Sequence, residues 1–69
     1  DYTQAIADYT QAIKLKPDYA NAYTTRGLVY REKGDKSNAI QDFKRALEFS
    51  KDPTLQQMVE QNLRELGAK

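Results

Sequence analysis

Sixty-nine residues hold one small domain, and a chain of that size buries only about 60% of its unfolded surface, so a lone core is marginal. At 39% hydrophobic and 30% charged it is too apolar for a disordered tail and too polar for a membrane segment, with no run near the ~18 apolar residues of a spanning helix. Eleven basic against ten acidic residues leave a net charge of +1 and no field for DNA, RNA or anionic lipid, while the absence of Cys and His removes thiolate chemistry, the commonest general base and the commonest metal ligand.

Breakers at Pro17-Asp18, Gly34-Asp35 and Asp52-Pro53 cut the chain into four segments. Each opens beside an aspartate: Asp1, Asp18, Asp35 or Asp52. A carboxylate there accepts the orphan amide protons of a first helical turn and faces the positive end of its dipole. The expected helices run 2–16, 19–33, 36–50 and 53–66. In the first, Tyr2, Ala5, Ile6, Tyr9, Ala12 and Ile13 recur at steps of three and four, and DYTQAIA is followed by DYTQAIK, an echo that keeps the stripe on one face. In the second, at about 100° per residue, Tyr23, Gly27 and Tyr30 share a direction while Asn21, Thr24, Leu28 and Arg31 point well away from it. Glycine inside a helix costs about 1 kcal/mol against alanine, so Gly27 needs a packing reason. Ala39 on the third helix is the expected facing surface, with Tyr23, Tyr30 and Phe43 as bulk around it. The fourth carries Leu55, Met58, Val59, Leu63 and Leu66 on one face and a polar back.

A longer period organises these segments. Asp1/Asp35, Ala5/Ala39, Ile6/Ile40, Asp8/Asp42, Ala12/Ala46 and Asp18/Asp52 are identical at a separation of 34, and Tyr9/Phe43, Ile13/Leu47 and Leu15/Phe49 keep size and polarity. A helix-turn-helix unit recurring every ~34 residues is a solenoid. The expected fold is therefore all-α, four helices stacked as antiparallel pairs.

Tyr23-x2-Arg26-Gly27-x2-Tyr30, Ala39-x3-Phe43 and Ala46 give the chain a form that resembles the tetratricopeptide repeat (TPR) family, and Ala5-x3-Tyr9, Ala12 and Pro17 repeat its second half. The resemblance covers about residues 1–53. Tyr23 stands for Trp, Arg26 for an apolar residue, and Lys51 where Pro is usual, with Pro53 two residues later. The resemblance implies that 1–17 is the second helix of an incomplete repeat, 18–52 a complete repeat and 53–69 a polar-backed helix that closes the array. It also implies a protein–protein interaction module without chemistry, holding a protein or peptide in a concave groove lined by Asn21, Thr24, Leu28 and Arg31. Thr24 and Leu28 occupy the places where the carboxylate-clamp subset needs Lys and Asn. The chain opens at Asp1 without Met or an apolar leader and is expected to be a piece of something longer.

Arg26 beside a core position demands a carboxylate, and Asp8 or Asp42, equivalent places on neighbouring helices, is expected to supply it. Tyr9, Tyr23 and Tyr30 read as packing rings rather than a stacking platform for nucleic acid. Ser37 and Ser50 have no histidine to activate them, and no glycine-rich phosphate loop exists, so neither enzyme activity, cofactor nor metal is expected. The alternative to a peptide groove is a homo-oligomer. If the incomplete repeat lacks its first helix, part of the stripe at Ala5, Ile6 and Tyr9 stays bare and favours self-association.

Overall fold

The computed structural model describes residues 1–68; Lys69, the last residue of the expected closing segment, lies outside the described residues. It contains four helices: α1 (Tyr2–Leu15), α2 (Ala20–Lys33), α3 (Lys36–Phe49) and α4 (Pro53–Glu65), with no strand among the described residues.

Three of the four starts are made by aspartate. Asp1 accepts from the amides of Thr3 and Gln4, Asp35 from Asn38 and Asp52 from Thr54, where Pro53 fills the first helical position. Asp18 is the exception. Helix α2 begins at Ala20, one residue later than expected, so Tyr19 holds the cap position and no side chain caps that end. A capping side chain must come from the residue immediately flanking the first turn, and Asp18 stands one place too early in the Pro17-Asp18 turn. The other end of α2 closes on Gly34, whose φ of 91° is the left-handed conformation that glycine adopts without strain. The Asp35 amide then reaches back to the Tyr30 carbonyl at 2.8 Å, and α3 starts at once in the opposite direction.

Contacts run from α1 to α2, α2 to α3 and α3 to α4. The Cα trace measures 27 × 26 × 15 Å, and the short dimension matches two layers of helix at the usual ~8–10 Å spacing. The core lies between α3 and its neighbours. Ala39, Phe43, Ala46 and Val59 have no exposed surface and Leu63 retains 9%, with Tyr23, Tyr30, Leu47 and Leu55 packed around them. The nearest atoms facing Gly27 belong to the Phe43 ring: a methyl group at Gly27 would stand 2.9 Å from Phe43 Cε1 and 3.0 Å from Cδ1. Met58, expected with the apolar face of α4, is 41% exposed, while Val59 and Leu63 carry that face inward. Helix α1, with a partner on one side only, has no buried residue.

Candidate functional site

Helix α2 positions every polar group of interest. On one side Arg26 donates from Nε to Asp42 Oδ2 at 2.7 Å, from Nη2 to Asp42 Oδ1 at 2.8 Å and from Nη1 to Thr10 Oγ1 at 3.1 Å. The Thr10 hydroxyl itself donates to the Ile6 carbonyl at 2.7 Å. The guanidinium also lies 5.6 and 5.9 Å from the ring centres of Tyr23 and Tyr30. One side chain thus ties α1, α2 and α3 together, and the Asp42 bonds raise its pKa above the ordinary arginine value. Of the two carboxylates expected, Asp42 takes the guanidinium. Asp8 remains exposed and accepts from Gln4 Nε2 at 3.0 Å, its place at Arg26 being filled by the Thr10 hydroxyl.

The four residues expected to line a groove do not form one set. Thr24 retains only 2% exposure and its hydroxyl donates to the Ala20 carbonyl at 2.9 Å, so it lies beneath the surface with its proton already committed. Arg31 Nη1 donates to Asn62 Oδ1 at 2.5 Å and to Glu65 Oε1 at 2.7 Å, both on α4. Asn62 is held in turn by its amide, which donates to the Met58 carbonyl. Glu65 accepts from Gln61 Nε2 as well, and these bonds, the one from Gln61 foremost and then that from Arg31, lower its carboxyl pKa. Leu28 is 37% exposed one turn before Arg31. Asn21 is exposed two turns from Leu28, at the mouth of a cleft of about 390 Å³ between α1 and α2 whose walls include Ala5, Asp8, Tyr9 and Thr25.

Thr10, Asn62 and Glu65 are not among the binding candidates that the sequence offers. Glu65 carries a signal, since it lies 34 residues after Arg31 with the opposite charge. Thr10 and Asn62 carry none, because a hydroxyl or amide in a helix announces no partner. Among the described residues no three His, Cys, Asp or Glu side chains gather as a metal site would need, and no helix is long and apolar enough to cross a membrane.

Stacked antiparallel helices in a 34-residue stride, joined by polar side chains across their faces, define an α-helical repeat protein. The profile described as "TPR repeat" matches residues 1–34 and that of the tetratricopeptide repeat matches residues 20–53. The chain belongs to the tetratricopeptide repeat family. It is 40% identical over 50 residues to tetratricopeptide repeat protein 36 of Bos taurus and of Homo sapiens, and 38% identical to that of Xenopus tropicalis. Each alignment covers 72% of this chain and 25–27% of the relative, so the chain spans about a quarter of the length of those relatives. TPR repeats generally mediate protein–protein interaction, on a scaffold that is not itself catalytic.

Proposed function

We propose that this chain is a non-catalytic binding module that receives a partner protein or peptide on the outer face of α2 and α4. The carrying observation is the pairing of Leu28, an apolar side chain open to solvent, with Arg31, whose carboxylate partner Glu65 is itself 44% exposed. An exposed ion pair holds its partners weakly, so a carboxylate arriving on a peptide competes with Glu65 at little cost. Asn62 keeps the guanidinium aimed outward while the exchange happens, and Leu28 offers an adjacent apolar contact. Thr24 supports this face from below, and Asn21 serves its far end.

Immobilised peptide arrays probed with the chain test the reading. Arg31→Ala should weaken capture of acidic peptides by about tenfold, the scale of one charge-assisted hydrogen bond, and Leu28→Ala by a few-fold, with helical circular dichroism unchanged. Peptides that bind both variants as well as the parent would place the interaction elsewhere. A second reading, self-association, is favoured by one observation: α1 buries none of its residues and leaves Leu15 79% exposed. It predicts concentration-dependent sedimentation that Tyr9→Asp abolishes.

A further inference from the structure

Arg26 and Arg31 stand on one helix and use their guanidinium groups in complementary ways. Arg26 grips Asp42 side-on, with Nε and Nη2 donating to the two carboxylate oxygens, and turns Nη1 to Thr10. Arg31 turns the same nitrogen, Nη1, to Asn62 and Glu65 on α4. Its Nε and Nη2 find no acceptor among the described residues, and the side chain is 35% exposed. The edge that holds a side-chain carboxylate at Arg26 is thus open to solvent at Arg31, where it presents two parallel donors to an incoming anion. Such an anion and Glu65 lie on different edges, so they compete for one positive charge rather than for one proton.

Shape alone does not choose the anion, because a carboxylate and a phosphoryl group each offer two oxygens to this fork. Charge does. Glu65 lies 2.7 Å from the guanidinium, and Gln61 followed by Arg31 holds its carboxyl more acidic than an ordinary glutamate. The pair is close to neutral as a whole. Repulsion from Glu65 grows with the charge of the arriving group, and a phosphoryl group carries about −1.5 to −2 at neutral pH. A dianion therefore gives up its stronger hydration for little return.

We propose that Glu65 is a specificity-determining residue of this face: it reserves the free edge of Arg31 for the singly charged side chain of an aspartate or glutamate in a partner peptide and turns away phosphorylated serine or threonine. The proposal rests on the reading that acidic peptides meet the chain at Arg31, and adds what sets their charge. The bond from Arg26 to Asp42 shows the form of the contact, a side-chain carboxylate taken by both oxygens.

The test titrates the whole chain, labelled with nitrogen-15, with three capped peptides, acetyl-Leu-X-Leu-amide, where X is glutamate, phosphoserine or glutamine. The glutamate peptide should shift the Arg31 Nε and Leu28 amide signals saturably, the phosphoserine peptide should bind more weakly, and the glutamine peptide should leave Arg31 undisturbed. Glu65→Gln should tighten the glutamate peptide about threefold, the scale of one exposed charge pair, and the phosphoserine peptide about tenfold, removing the discrimination. Glu65 is 44% exposed and glutamine keeps an oxygen for Arg31, so circular dichroism should match the parent. If Arg31→Ala abolishes binding but Glu65→Gln tightens both charged peptides equally or neither, the reading of the face stands and the role of Glu65 is overturned. Tighter binding of phosphoserine than of glutamate by the parent overturns it too. If no peptide shifts Arg31, or Arg31→Ala changes nothing, the reading of the face fails and the proposal fails with it.

Discussion

Arg26 and Asp42 form the one ion pair of the described residues with both side chains mostly out of water, at 17% and 6% exposure. Removing the arginine alone strands a buried carboxylate, which costs about 3 kcal/mol or more, whereas replacing both partners by apolar groups removes the desolvation cost with the attraction. Arg26→Met should therefore lower the urea midpoint sharply, and adding Asp42→Leu should restore most of the loss. A double variant as unstable as the single one would mean that the pair acts through something other than charge. Gly27 poses a different balance. Alanine there gains about 1 kcal/mol of helix propensity but drives a methyl into a ring that is itself wholly enclosed, an overpacking of about 1–3 kcal/mol. Gly27→Ala is expected to lower the melting temperature, and the deficit should shrink when Phe43→Leu opens the space.

At the level of helices, the caps and the α2–α4 bridge make the ends sensitive to acid. Asn38 holds Asp35 below its ordinary value through its side chain first and its backbone amide second, and Gln61 followed by Arg31 does the same for Glu65. Each group is more acidic folded than unfolded, so its contribution is full above the unfolded value and is lost as pH falls through the folded one. Thermal stability should thus decline below the ordinary values of 3.8 for Asp35 and 4.5 for Glu65. Asp35→Asn keeps a capping side chain but removes the titration, so the acid limb should flatten while neutral stability changes little. Both groups lie in water, so the effect is small, and added salt should weaken the part that Arg31 supplies. A melting temperature independent of pH in that range would remove the caps from the stability of the ends.

Across the whole molecule, the 34-residue stride made much of this legible. Breakers located four helices to within a residue or so, and the recurrence of Ala39, Phe43 and Ala46 marked the core, because size at a fixed spacing is written directly in sequence. Which carboxylate Arg26 takes is not readable, since Asp8 and Asp42 are equivalent by sequence and only the packing of α2 on its two neighbours separates them. The burial of Thr24 is not legible for a related reason: angle around a helix tells direction, but burial depends on what stands in that direction. The same stride continued into α4 would have offered Glu65 to Arg31, yet α4 departs from the aromatic pattern that defines the register. The stacking has a further consequence for dynamics. In a one-dimensional array each helix is stabilised by its neighbours, and a helix with one neighbour opens first. Among the described residues helix α1 packs mainly on α2 and buries no residue, whereas α3 lies between α2 and α4 and carries the enclosed core. Native-state hydrogen exchange should therefore show α1 amides opening well below the global unfolding free energy, and those of α3 only with it. Arg26 holds α1 by a single hydrogen bond to Thr10, so Thr10→Val should accelerate exchange in α1 while leaving α3 unchanged. Uniform protection of all four helices would mean that the repeats unfold as one unit, and that α1 draws its stability from more than the face it shares with α2.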